Sequence, residues 1–216
     1  MKLYIIRHAQ SENNARPDHE RVEDPGLTEV GIQQANRLAE WSKSLQLTRL
    51  FCSPFLRTLL TTSPISEATG LSPEVRVDLH EFGGCMSGPT IETMVGRPGM
   101  TRQQIVDRFP NYEISDAEEI DENGWWKSKP FETAQQVQNR ASRLLQRTIA
   151  DFAETDERVA YVMHADFKVT FLEMLSERTL QFPYNTSVSE LTIDSAGKSL
   201  DDYNGVAHLT GELLTY

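Results

Sequence analysis

Three short apolar runs, Leu3 to Ile6, Arg49 to Cys52 and Arg158 to Met163, each end abruptly at a polar residue, and each is followed by a helix-forming stretch. A continuous apolar run with β-branched residues, as in Leu3 to Ile6, suits a strand covered on both faces, and strands alternating with helices wind into a mainly parallel sheet with helices on either side. The expected fold is therefore α/β. A helix is predicted from Thr28 to Leu45, where Ala35, Leu38, Ala39 and Leu45 recur at helical spacing behind a Thr28 cap. Ser53-Pro54 opens a second helix, which carries Arg57 and runs to about Ala68 before Gly70 stops it. The clearest stripe comprises Val137, Ala141, Leu144, Leu145, Ile149 and Phe152, with Thr133 and Gln136 in capping-box spacing. Val75 to Leu79 and Ser187 to Ile193 read as further strands, and Asp166 to about Leu175 as a helix.

Between Glu81 and Pro130 the periodicity breaks down into Gly, Pro and acidic residues around Trp125-Trp126. This segment is read as a small irregular lid lobe, residues 83–130, inserted in a single domain spanning 1–216. Thr101 and Gln104 start a short helix within it, to about Phe109. The tryptophan pair either packs the lobe or forms a wall against substrate.

Composition narrows the partners. The 21 basic and 32 acidic side chains give a net charge of −11, a field that repels nucleic acid at long range. Converging arginines still create a local anion site. No apolar run approaches the roughly 20 residues of a membrane span, and the apolar stretch after Lys2 is too short for a secretory core, so no membrane partner and a cytoplasmic location are expected. Cys52 and Cys85 are too few for a disulfide framework and read as buried thiols.

Ligands of open α/β sheets bind beyond the carboxyl ends of the strands. This chain places Arg7-His8 there after its first run and His164 after its last, with Arg57 one helical turn past another strand and Glu81 just past a fourth. Two histidines, two arginines and one carboxylate suit a tetrahedral dianion and the protons around it. A neutral imidazole is a competent nucleophile near pH 7, which gives His8 the attack on phosphorus. Guanidinium forks at Arg7 and Arg57 compensate the non-bridging oxygens, and a carboxyl beside a dianion, Glu81, has a raised pKa suited to protonating the leaving group. Such a site needs no metal.

The same residues carry a resemblance. Arg7-His8-Ala9-Gln10-Ser11-Glu12-Asn13-Asn14 resembles the signature of the histidine phosphatase superfamily, which includes phosphoglycerate mutases and many phosphomonoesterases. Leu27 to Ala35, Ser53 to Thr58, Leu79 to Gly84, Val162 to Ala165 and Asn185 to Ser189 are similar to five further blocks in family order. The resemblance implies a phosphoglycerate mutase-like fold, with His8 as nucleophile, Arg7, Arg57 and His164 as phosphate ligands, Glu81 as proton donor and Asn14 as a further phosphate contact. It also implies a monomer or homodimer, with no cofactor. Ala9 and Ala165 stand where a glycine usually follows each histidine, and a positive φ there would cost roughly 1 kcal/mol.

The acid block is compressed, with Gly83 and Gly84 close behind Glu81, and Glu92 is its competitor as proton donor. Asp166 reads as a helix N-cap or a second acid, and His80 as a neighbour at the mouth of the site or facing solvent. Three functions follow: a metal-independent phosphomonoesterase acting on a small phosphorylated metabolite through a phosphohistidine, a mutase, or a catalytically silent phosphate-binding module. The longer basic, proline-rich lobe associated with the mutases is missing, which favours hydrolysis.

Overall fold

The computed structural model describes residues 1–88, 90, 92–115, 119–176 and 178–216. In chain order the elements are β1 (Lys2–Arg7), the single turn α1 (Glu12–Ala15), α2 (Glu29–Ser42), β2 (Arg49–Cys52), α3 (Leu56–Thr69) and β3 (Glu74–Val75). A two-residue hairpin follows, β4 (Met86–Ser87) and β5 (Val95–Gly96), then α4 (Arg102–Arg108), α5 (Ala134–Phe152), β6 (Arg158–Met163), α6 (Ala165–Ser176), β7 (Val188–Asp194) and β8 (Gly197–Gly205).

The large sheet has the order β3-β2-β6-β1-β7-β8. Its first four strands are parallel, and β7 and β8 complete it antiparallel. Strand β1 shows why its sequence is a continuous apolar run. Leu3 and Ile5 pack into one layer with Val137, Ala141 and Leu144 of α5 and Phe167 and Phe171 of α6. Tyr4 and Ile6 face the opposite layer, with Leu38 of α2 and Leu59 and Ile65 of α3. Period-two alternation thus sends successive residues into two different cores.

The predicted helices form, with shifted ends. Thr28 caps α2 by accepting from the Gly31 amide, but the helix closes at Ser42 into a tighter turn over residues 43–45, followed by left-handed Gln46. Helix α3 begins at Leu56 rather than at Ser53-Pro54 and tolerates Pro64 in its interior. In α5 the stripe buries Val137, Ala141 and Leu144, whereas Ile149 stands exposed. The expected strand Val75 to Leu79 is corrected: only Glu74–Val75 pairs with β2, and Val77–Leu79 is a turn of 3-10 helix that carries the chain toward Glu81.

Cys85, Ile105, Phe109, Tyr112 and Ile120 of the 83–130 segment join the hydrophobic cluster on the α2–α3 side of the sheet. Trp125 and Trp126 are both buried and pack with Phe55 and Ile105 in the α2–α3 core, so the pair packs the core. Asp116, Ala117 and Glu118, within the acidic stretch Asp116 to Glu122, lie outside the described residues. Cys52 and Cys85 are free and buried. No helix among the described residues is long and apolar enough to cross a membrane.

Candidate active site

Strand register brings the site together. Arg7 is the register partner of Met163, and Cys52 that of Val162, so the chain leaves the sheet at neighbouring positions with His8, Ser53 and His164. The amide of His8 donates to the Met163 carbonyl at 2.9 Å and that of Ser53 to Val162 at 3.1 Å. The two histidine rings consequently meet edge to face, with centroids 5.1 Å apart.

Hydrogen bonds assign the tautomer of His8. Nδ1 lies 2.7 Å from the Ala9 carbonyl oxygen, which has only lone pairs to offer, so Nδ1 carries the proton. Nε2 then holds the free lone pair, and Arg57 Nε donates to it at 3.2 Å. Burial first, then the charges of Arg57 and Arg7, push the His8 pKa well below the usual histidine range. The ring is neutral at pH 7. His164, fully buried, shares a 2.7 Å hydrogen bond between its Nε2 and Ser53 Oγ, while its Nδ1 has no partner among the described residues. Its pKa is also well below the usual range, through burial and then Arg57.

The arginines are anchored from behind. Arg7 Nη1 donates to the Pro183 carbonyl at 2.6 Å, and its guanidinium lies 4.9 Å from the Phe182 ring centre. Burial lowers its pKa to about 10, so it stays charged. Arg57 stacks on Phe55 at 4.0 Å and has Asp24 3.9 Å from Nη1. The Asp24 carboxyl accepts from the Leu56 amide at 2.8 Å, and burial pushes its pKa up to about 7.

Glu81 and Glu92 separate cleanly. Glu92 is exposed on the turn before β5. Glu81 sits beside Arg7 and Arg57, and its Oε1 accepts two backbone amides, Phe82 at 2.8 Å and Phe167 at 3.0 Å. Burial and then the nearby Asp166 carboxylate push its pKa up to about 7, against the pull of Arg57 and those two amides. Asp166 lies in the first turn of α6 rather than at its cap, and burial raises its pKa too.

The turn carrying Glu81 depends on two glycines. Gly83 and Gly84 have φ of +89° and +85°, and a Cβ on Gly84 would stand 2.3 Å from the Trp126 indole. Gly84→Ala should therefore lower stability by more than about 1 kcal/mol, read as a lower urea midpoint. Ala9 and Ala165 need no such freedom, because the left-handed non-glycine residues among those described are Gln46, Lys127, Ser128, Thr186 and Asn204.

Asn14 Oδ1 accepts from the Ser11 amide at 3.0 Å and its hydroxyl at 2.9 Å, and Asn185 Nδ2 lies 3.5 Å from the same atom. Asn185 Nδ2 also donates to the His8 carbonyl at 3.2 Å, as does the Thr186 amide. Lys168, fully buried, donates through Nζ to Ser187 O at 2.9 Å and Oγ at 3.1 Å, steadying this segment from α6. His80 departs from expectation: it is buried against Trp125 and Trp126, with Nδ1 2.6 Å from the Val77 carbonyl oxygen, and burial lowers its pKa to about 4. A cavity of about 900 Å³ is lined by Asp24, the neighbour of Arg57, with Leu56, Cys85, Gly99, Met100 and Lys127 among others, while His8, Arg57, Glu81 and His164 themselves do not line it.

An α/β sheet whose carboxyl edge gathers two neutral histidines, two arginines and a high-pKa carboxyl defines a protein equipped to hold an oxyanion and pass protons to it. The chain belongs to the histidine phosphatase superfamily, branch 1, whose profile it matches over residues 3–205. It is 30% identical over 126 residues to a probable phosphoglycerate mutase, GpmB, of Photorhabdus laumondii, a match covering 56% of this chain and 57% of that relative's length. Solved structures share its fold: a mycobacterial glucosyl-3-phosphoglycerate phosphatase (TM-score 0.64, 23% identity, 95% of this chain and 99% of that one), and a mutant phosphoserine phosphatase of Entamoeba histolytica in complex with phosphoserine (TM-score 0.64, 22% identity, 97% and 99%).

Proposed function

We propose that this protein is a metal-independent phosphomonoesterase that hydrolyses a small phosphorylated metabolite through a phosphohistidine on His8. The observation that carries this reading is the His8 tautomer, with Nδ1 protonated toward Ala9 and a neutral Nε2 facing Arg57. The Arg57 guanidinium donates to the nucleophile's lone pair. An incoming phosphate draws Arg57 onto its non-bridging oxygens, in the bidentate geometry the fork favours, and frees Nε2 to attack. Arg7, His164 and Asn14 take the remaining oxygens. The P–N bond forms as the P–O ester bond breaks, and Glu81 gives its proton to the departing oxygen. Glu81, now a carboxylate, takes a proton from water as that water attacks the phosphohistidine, releasing phosphate and restoring both groups.

Glu81→Gln tests the acid role. The amide can keep accepting from Phe82 and Phe167 through its oxygen, so the fold should hold. Hydrolysis of alkyl phosphates is expected to slow by about 10²–10⁴-fold, and that of p-nitrophenyl phosphate, whose leaving group departs unprotonated, by less than about tenfold. Equal losses on both esters would remove Glu81 from the acid role.

The raised Glu81 pKa also sets a pH signature. The acid works protonated, so the ratio of alkyl to p-nitrophenyl phosphate rates should be flat below its pKa and fall as pH rises through about 7. His8, neutral well below pH 6.5, adds no acid limb near neutrality.

The relative's name raises phosphoryl transfer between positions of one substrate as a second reading. Steady release of inorganic phosphate from simple esters, with chelator present and no bisphosphate added, separates hydrolysis from transfer.

A further inference from the structure

Resting on the reading of Glu81 as proton donor, we propose that Arg140, locked by Glu132, is the positioning residue that aims the Glu81 carboxyl. Arg140 is 4% exposed, and it reaches Glu81 from both flanks. Its Nη1 donates to the Asp78 and His80 carbonyls, each at 2.9 Å, and so ties down the backbone entering Glu81. Its guanidinium also lies 3.8 Å over the ring of Phe167, the residue whose amide donates to Glu81 Oε1. One side chain thereby fixes both the peptide that carries the acid and one of the two amides that orient it.

Glu132 holds that side chain in place. Arg140 Nε donates to Glu132 Oε1 at 2.9 Å and Nη2 to Oε2 at 2.6 Å, a forked pair that restricts rotation about the guanidinium. Burial is the largest influence and works to raise the Glu132 pKa, but the hydrogen bonds and charges of Arg140 and His80 together outweigh it and hold the carboxyl at about 2. The Glu132 amide donates to the Gly83 carbonyl at 3.2 Å, so the same residue also pins the chain leaving Glu81. The 78–84 turn is thus gripped before and after the acid, while Oε1 is spent on backbone amides and Oε2 is left to carry the transferable proton.

A bond network this close to the acid predicts a loss that depends on the leaving group. Misplacing a catalytic group by about 1 Å costs on the order of 10²-fold, and the cost falls only on steps that need that group. Arg140→Gln should slow kcat on an alkyl phosphate by about 10- to 100-fold and on p-nitrophenyl phosphate by less than about threefold, with KM little changed. Arg140→Lys keeps the charge but not the fork, and should give a smaller split in the same direction; Glu132→Gln should do likewise. The p-nitrophenyl phosphate rate reports whether each variant is folded, and the two milder variants carry the test if Arg140→Gln does not fold. Equal slowing of both esters across the variants, while Glu81→Gln shows the split, would overturn the positioning role alone. Absence of the split in Glu81→Gln itself would overturn the acid assignment and the positioning role with it.

Discussion

His8→Ala is expected to lose at least about 10⁴-fold in phosphate release from p-nitrophenyl phosphate, the scale seen when a covalent nucleophile is removed. The loss should be independent of the leaving group, because the bond that fails to form is the P–N bond common to every ester. Wild-type protein mixed with excess substrate and quenched in base should retain an acid-labile phosphoryl group on His8, and the variant none. Binding should survive, since Arg7 and His164 are held by Pro183 and Ser53, and Arg57, though it loses its bond to His8 Nε2, keeps its stacking on Phe55 and its neighbour Asp24. The variant should therefore still bind inorganic phosphate within about tenfold of wild type. Retention of most activity, with no trapped phosphoryl group, would mean that water attacks phosphorus directly and that His8 serves only to bind.

How much of this site the sequence disclosed depends on the kind of residue. His8, His164, Arg7 and Arg57 were legible because each follows directly on a strand end or a helix start, where chain direction alone fixes which edge of the sheet a side chain reaches. The residues behind them were harder to see. Arg140 sits on the same face of α5 as Val137, Ala141 and Leu144, and Lys168 lies among Phe167, Phe171 and Leu172, so each is a charged side chain inside an apolar stripe. Helical spacing showed those faces as core and passed over the charges embedded in them. A buried charge is tolerated only when paired or fully hydrogen-bonded, so a charged residue on an otherwise apolar face is itself a signal.

Strand pairing set the other limit. The antiparallel β7 and β8 complete the sheet beside β1, yet β8 reads Gly-Lys-Ser-Leu-Asp-Asp-Tyr-Asn-Gly and is exposed along most of its length. A polar edge strand of this kind lacks the hydrophobic run that marked its neighbours. The Val75 to Leu79 reading failed for a related reason. Its apolar residues Val75, Val77 and Leu79 are all buried, as a strand's alternate residues would be, but the chain turns after two paired residues and buries them in a 3-10 turn instead.

Arg57→Ala should give the second largest loss, about 10³-fold in kcat/KM, and with a pattern opposite to that of Glu81→Gln. Charge builds on the equatorial phosphoryl oxygens in every transfer, whatever the leaving group, and one well-placed arginine is worth about 10³–10⁵-fold in such transition states. Alkyl and p-nitrophenyl esters should suffer alike. Arg57→Lys should recover little of the loss, because a point charge cannot bridge two oxygens, and millimolar guanidinium should recover more in the alanine variant than in the lysine variant. A second readout comes from His8. Arg57 is the largest charge lowering its pKa after burial, and its removal lets that pKa rise, so His8 protonates at a higher pH than in the wild type. Since the protonated ring has no lone pair for phosphorus, the variant's activity should fall off on the acid side at a higher pH than wild type, in a profile recorded with p-nitrophenyl phosphate to keep Glu81 out of it. A loss below tenfold with an unmoved acid limb would place the charge compensation on Arg7 alone.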